Sequence, residues 1–409
     1  MSPEVISHWA KIKGIALIGT GDFTHPFYFD ELRSKLEEKG KGLLVLKQVQ
    51  DKGETEGISF MLTAEVSNIF SQNGKLRKIH TLIFAPDFGT AQKINNSLSR
   101  KGKLSSDGRP TFGFPVKDLV KMILDISKDC LLVPAHAWTP WFSLFGSNSG
   151  FDSIEECFAE EAKNICSIET GLSSDPEMNW RLSALDKITL ISNSDAHSPN
   201  KIGREANLFD CDIDYRDIVD AIRKKDRKRL LATLEFFPEE GKYHYNGHRD
   251  CGIVMSPKET RERGLRCPVC KRNITVGVMQ RVEDLSDRPE GFVPEGAIPS
   301  IHLIPLEEII ADAFGVGVGT ASAIKEYERM VEIGRSEFSI LLDISIENLT
   351  KFSHPKVIEG IKRMREGKVN INPGYDGVYG KICLFEEKTR EDEKAIPEAP
   401  AVTNQMDLF

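Results

Sequence analysis

The stretch Ile188-Thr-Leu-Ile-Ser-Asn-Ser-Asp-Ala-His197 limits what this chain can become more than any other. Its four apolar or β-branched residues predict a short buried strand. The strand then breaks into small polar residues and ends in Asp195-x-His197, with Ser198-Pro199 closing the turn. A carboxylate and an imidazole at the carboxyl end of a buried strand suit a divalent metal ion, because ligands from several strand ends can converge there. Asp-x-His also fits an ordinary turn, so the rest of the chain has to decide.

Upstream, the pattern alternates strands with helices. Residues 4–13 predict a helix and 14–19 a buried strand that leads into Asp22. An amphipathic helix is expected over 27–39, and a strand over 58–66 carries Glu65 at its end. A further strand, 79–85, opens with His80; 115–127 is helical; and a short strand, 131–134, runs straight into His136. A helix over 154–163 and a strand over 165–170 precede the Asp195-x-His197 strand. This order, from residue 14 to about 236, predicts an α/β unit in the form of a barrel or distorted barrel. Each polar residue has a plain alternative: Asp22 could cap the next segment, Glu65 could be solvated, and His80 could be a satisfied core histidine. Six of them at strand ends, Asp22, Glu65, His80, His136, Asp195 and His197, point to a metal cluster.

The next segment differs in kind. His248-x2-Cys251-x15-Cys267-x2-Cys270 has the spacing of a zinc ribbon with one cysteine replaced by histidine. Two x2 pairs let each knuckle grip one side of a tetrahedral ion. Four protein ligands leave no open position, so one structural zinc is expected here. Tyr243, His244, Lys271 and Arg272 lie nearby and suit nucleic-acid contact. Helices over 306–314 and 320–332 flank Gly315-x-Gly-x-Gly319. No strand precedes these glycines, so a dinucleotide site is excluded and a hairpin between helices is expected. A turn over 374–380 leads into a closing strand.

Beyond residue 385 the chain turns charged and Pro/Ala-rich, which predicts disorder. It ends in Gln405-Met-Asp-Leu-Phe409, an apolar cluster of the docking-peptide kind. Net charge is −8, so any nucleic-acid surface must be local. Residues 223–229 hold six basic side chains against one acidic, either a solvated helix face or a phosphate-contacting patch. No run of ~18 apolar residues is present, and the first residues have no signal-peptide pattern. The scattered cysteines suggest a reducing cytoplasm, with no membrane association.

The strand ends Gly-Thr-Gly-Asp22, Ala-Glu65-Val, Ala-His136-Ala and Ser-Asp195-Ala-His197 resemble the metal-binding motifs of the polymerase-and-histidinol-phosphatase (PHP) superfamily. Longer runs resemble one branch of it, endonuclease Q, in its bacterial form. These are Ser106–Pro110, Pro134–Trp141, Gly171–Met178 and Ser192–Pro199, and the likeness extends over residues 2–385. The resemblance implies a distorted PHP-type (β/α)7 barrel over 1–238, a zinc ribbon over 239–283 and a helical DNA-binding domain over 284–385. The tail, 386–409, would follow.

The same resemblance implies a DNA repair endonuclease that nicks on the 5′ side of deaminated bases (uracil, hypoxanthine, xanthine) or abasic sites. Double- or single-stranded DNA would be the substrate, and the cell's nucleoid the place of action. Glu65, Asp195 and His197 would be catalytic within a shell completed by Asp22, His80 and His136, around divalent zinc, manganese or magnesium. Ser173 and Asn193 correspond to the family's base-pocket residues, and Trp138, Trp141 and Phe142 are candidates for stacking. Gln405, Leu408 and Phe409 match a peptide that docks on the bacterial sliding clamp. One departure weakens the match: the family's first strand ends in His-x-His, and no His-x-His occurs in this chain. The expected barrel therefore lacks its first strand and the metal shell two ligands, which predicts a weak or inactive nuclease. Two rival readings follow, a truncated DNA-binding scaffold and a small-molecule PHP phosphoesterase.

Overall fold

A computed structural model describes residues 1–47, 57–106 and 108–385. The tail with Gln405, Leu408 and Phe409 lies outside the described residues. The largest sheet is built around a long antiparallel hairpin, Ser59–Gln72 with Lys75–Ala85. Asn73 and Gly74 turn it, with φ of 54° and 72°. Both central positions of a two-residue turn that matches strand twist need positive φ, and Asn-Gly supplies them at little cost.

The hairpin corrects two expectations. The strands at 58–66 and 79–85 run on to meet each other, so Glu65 and His80 sit within long strands and not at their ends. They are also antiparallel, which breaks the strict strand–helix alternation. The expected helix 27–39 stops early, at Pro26–Lys35, and the chain continues as strand Leu36–Gly40 paired with Leu43–Leu46. Gly40, Lys41 and Gly42, all with positive φ, form that turn. The helix expected over 154–163 is α-helical only at Ile154–Phe158 and tightens to 3-10 geometry over Ala159–Asn164.

Leu17–Gly19 adds to the hairpin in parallel, and Leu131–Pro134 pairs antiparallel on its other side. Ser167–Glu169 and Thr189–Ile191 form a parallel pair. Leu230–Glu235 lies between Ala206–Phe209 and Ser300–His302. Contacts beyond the ladders carry the strand ends onward as one arc. Ala137 N donates to Glu169 O at 2.9 Å, Thr170 N to Ile191 O at 2.9 Å, and Ser192 Oγ to Leu234 O at 2.9 Å. The hairpin's inward side chains, among them Phe60, Leu62, Val66, Ile79 and Ile83, are buried with helix residues Ile94, Leu98, Leu119 and Ile123. That apolar burial holds the arc rigid beneath the polar strand ends.

Helices Leu306–Phe314, Ala321–Gly334 and Pro355–Arg365 pack a second core, shared with Leu234 and Phe237. A buried ion pair of Lys13 with Glu337 ties the N-terminal helix, Pro3–Lys13, to it. The ribbon segment is small: Asn246–His248 pairs with Ile253–Met255, and its core is Met255, Cys267 and Ile274.

Candidate metal centre

Glu65 and His80 converge from two paired strands, and His136 from just past the end of the neighbouring strand Leu131–Pro134. Glu65 Oε1 lies 2.9 Å from His80 Nδ1 and 3.3 Å from His136 Nε2. The two imidazole nitrogens are 3.1 Å apart. All three ligand atoms fall within 4.8 Å of one another, a carboxylate and two imidazoles converging as a divalent ion of the zinc or manganese kind requires. On the far side, an Arg109 nitrogen sits 2.8 Å from Glu65 Oε2 and 3.8 Å from Asp195 Oδ1.

The surroundings fix His136 tightly. Its backbone N donates to Glu169 Oε2 at 2.8 Å, and its Nδ1 meets Thr139 Oγ1 at 3.0 Å. Its φ is 33°, and Gly171 packs directly against it: a Cβ at 171 would lie 2.6 Å from His136 Cβ. Only glycine fits there. Burial would raise the Glu65 carboxyl, but bonds from His136 and His80 and the charge of Arg109 hold it well below the usual carboxylate range. Burial pushes Glu169 up to about 7. His80 is lowered by burial, whereas His136, also opposed by burial, is raised by its bond to Glu65.

The other expected ligands stand apart. Asp22 is bridged to Ala64, next to Glu65 in sequence, but its Oδ1 accepts from Thr24 Oγ1 at 2.6 Å. Asp195 faces Arg109. His197 turns back on its own loop, with Nδ1 2.9 Å from Asp195 O, and its side chain is 77% exposed. Three of the six expected ligands therefore gather. The Arg109 guanidinium lies between Glu65 and Asp195.

A cavity of about 550 Å³ opens beside this centre, lined by Thr139, Trp141, Ser173, Arg204, Tyr243 and His244 among others. Thr139 joins the two, since its hydroxyl also meets the His136 ring. Trp141 is 46% exposed and meets Tyr243 edge-on, with ring centroids 6.1 Å apart. Of the expected base-pocket pair, Ser173 lines the cavity. Asn193 lies outside its lining: its Nδ2 donates to Glu169 Oε1 at 2.9 Å, and its Oδ1 receives Asn207 at 3.4 Å. Trp138 is a core residue, fully buried with Nε1 bonded to Asn179 Oδ1. Phe142 packs on His80 at 4.7 Å.

Reasoning from sequence missed Arg109 and Glu169 as site residues. Glu169 ends a strand, as Asp195 follows one, and the same rule could have found it. Arg109 lies in the Ser106–Pro110 run and carries no pattern of its own. The basic run 223–229 is largely engaged locally: Arg223 donates to Lys128 O and Cys130 O, Lys224 pairs with Asp220, and Arg229 with Asp226.

In the ribbon, the ligand atoms of His248, Cys251, Cys267 and Cys270 lie within 4.8 Å of one another. A third group, Asp175, Glu177 and His302, is held by the ion pair of Asp175 with His302, at 3.2 Å.

Two family models match, one described as PHP-associated over residues 180–226 and one as the MJ0043 C-terminal domain over residues 305–368. A Methanocaldococcus jannaschii protein, MJ0043, is 34% identical over 62% of this chain, which spans only 32% of that longer protein. Bacillus subtilis YqxK is 30% identical over 93% of this chain and 91% of its own length. The lesion-specific endonuclease PfuEndoQ of Pyrococcus furiosus superposes with a TM-score of 0.82 at 29% identity, covering 97% of this chain and 94% of that one. An endonuclease Q complexed with a 27-mer duplex bearing an abasic lesion at its active site superposes at 0.80 and 30%, with the same coverage. The chain belongs to the endonuclease Q family. The α/β architecture with a helical C-terminal region is thus an endonuclease Q fold, and enzymes of this family with solved structures are endonucleases. Among the described residues no helix is long and apolar enough to cross a membrane.

Proposed function

We propose that this chain is a DNA repair endonuclease that nicks the phosphodiester on the 5′ side of deaminated bases, uracil, hypoxanthine or xanthine, and of abasic sites. The observation that carries this reading is Thr139, which lines the cavity and whose hydroxyl meets the His136 ring of the Glu65–His80–His136 centre. A base read by its edge must leave the duplex stack. A cavity of about 550 Å³ has room for a nucleobase, and a base seated there leaves its phosphodiester beside the centre.

Glu65, His80 and His136 would hold a divalent ion, zinc, manganese or magnesium, with Asp22, Asp195 and His197 as proposed further donors. Such an ion supplies a hydroxide at neutral pH and neutralises phosphate charge. Thr139 and Glu169 orient His136 from opposite sides, through its ring and its backbone. Trp141 and Tyr243 offer ring faces to the base, and the Ser173 hydroxyl offers a hydrogen bond to its edge. Glu169 fixes the Asn193 amide, so Asn193 acts on the pocket by holding its wall. The ribbon cluster takes one structural zinc. DNA is the partner, in a cytoplasmic, nucleoid-associated setting.

The test is incision of labelled duplexes carrying one uracil, one hypoxanthine, one abasic site or none. Cutting on the 5′ side of the lesion is expected, with the undamaged duplex spared. Hydrolysis of small phosphate esters without any incision would replace this reading with a small-molecule phosphoesterase.

The tail adds a second partner, the bacterial sliding clamp. In Gln405-Met-Asp-Leu-Phe409 the Gln amide suits a polar rim and Leu-Phe an apolar pocket. A short peptide that orders on binding is expected to reach about micromolar affinity. Leu408 and Phe409 each contribute at most about 1.5–3 kcal/mol of burial. A Leu408→Ala/Phe409→Ala double variant should lose clamp binding in a pull-down, and equal binding by both proteins would remove the clamp from the scheme.

A further inference from the structure

We propose that Arg109 grips the phosphate that is cut, and that its contact with Glu65 is the resting form of that grip. The inference rests on the endonuclease reading above and adds a substrate-contacting residue to it.

Arg109 is placed by backbone, not by chance reach. Ser67 N donates to Pro110 O at 2.9 Å, and Thr111–Phe112 pairs in parallel with Ser67 and Asn68 of the Glu65 strand. The residue just before this stitch is therefore held at the rim of the centre. From there its guanidinium reaches both Glu65 and Asp195, while the side chain stays 30% exposed.

The manner of contact argues against a purely structural brace. A guanidinium locked to a carboxylate favours two parallel bonds, fork to fork. Here the closest approaches, both from Nη2, are divided between two carboxylates, 2.8 Å to Glu65 Oε2 and 3.8 Å to Asp195 Oδ1. A contact divided in this way at a partly exposed rim costs little to exchange for another oxyanion.

Charge points the same way. Glu65 and Asp195 give this rim two carboxylates, and a phosphodiester approaching them meets like charge. A guanidinium already lodged between them offsets part of that charge where the anion must enter. The planar fork also matches two non-bridging phosphate oxygens, which an ammonium does not.

The experiment measures DNA binding by the full chain in calcium, using a fluorescent duplex with one uracil over a series of salt concentrations. Arg109→Gln should weaken binding about tenfold, as loss of a charge-assisted contact does. Its salt slope should fall by about one phosphate contact. Arg109→Lys should keep the wild-type slope but recover only part of the affinity, because the charge remains and the fork is gone. Metal content should be unchanged in both variants. Wild-type affinity and slope in Arg109→Gln would overturn the grip and leave the endonuclease reading standing. Loss of bound metal in Arg109→Gln, with an unchanged slope, would make Arg109 a brace for Glu65 and also overturn it. A wild-type chain that binds no DNA would overturn the endonuclease reading and the grip together.

Discussion

The ribbon draws its four candidate ligands from residues 248–270, whereas the barrel draws its three from residues 65 and 80 on two strands and 136 just past the end of a third. Among the described residues, the core beneath the ribbon cluster is Met255, Cys267 and Ile274 with Cys251 and Ile253 packed against it, two of them candidate ligands themselves. Beneath the barrel cluster lies a large apolar core that buries the hairpin and its helices. A core this small does little to offset the conformational entropy of its own loops, so on the proposed reading a bound zinc would supply much of the ribbon's stability. The barrel strands are ordered by apolar burial whether or not an ion is bound, and the site is laid on top of them. On the proposed reading the ion would make the fold in one region, and in the other the fold makes the site.

The largest expected effect lies in the ribbon. Zinc binding to modules of this kind is worth about 10–16 kcal/mol. Cys267→Ser should therefore lose one zinc per chain and strip hydrogen-exchange protection from residues 240–283, with the barrel's melting transition unmoved. Elemental analysis paired with exchange mass spectrometry reads both. A ribbon that stays protected without zinc would erase the contrast.

In the barrel the order is reversed. Asp195 has a φ of 42°, a conformation that asparagine tolerates well, so Asp195→Asn should fold normally. It should lower nicking about 100-fold, the scale seen when a group supporting a metal site is altered, while DNA affinity and melting temperature hold. A fall in melting temperature as large as the fall in activity would show that this site, too, carries part of the fold.

The same contrast explains what could be read from sequence. Ligands at fixed local spacing, as in His248-x2-Cys251, declare themselves, because the knuckle geometry is set by a few residues. The strand 131–134 and the helix 306–314 were legible in full, and both are short runs with clear punctuation. The hairpin was not, although Asn73-Gly74 signals it, because two of its half-strands already fitted the alternating pattern. Glu65 and His80 were picked for the wrong reason: they face the centre from within strands and do not end them. Arg109 was invisible, since its role comes from a pairing between Thr111–Phe112 and a strand more than forty residues earlier. Side chains that meet only through tertiary register leave no local trace.

The smallest expected effect lies between the two regions, where Ser300–His302 joins the barrel strand Leu230–Glu235. Asp175 caps a helical turn with Oδ1, accepting from Met178 N at 2.8 Å, and offers Oδ2 to His302 Nε2 at 3.2 Å. Burial would lower His302, but the Asp175 bond and charge, with Glu177 and Glu235, push it up to about 9. Phe237 closes the other side of the ring, with centroids 5.2 Å apart. Because the folded value exceeds the unfolded one of ~6.5, this stabilisation is fully present below about pH 6.5 and is lost as pH rises through 9. A full shift would be worth at most about 3 kcal/mol, and solvent reaching the ring leaves about 1–2 kcal/mol. Urea unfolding near pH 6 and again near pH 9.5 should show that loss in the wild type and a flatter profile in His302→Gln. The ribbon's own protection should follow neither, because on the proposed reading its stability would be tied to zinc and not to this pair. A pH loss of equal size in both proteins would place the sensitive group elsewhere and detach the junction from His302.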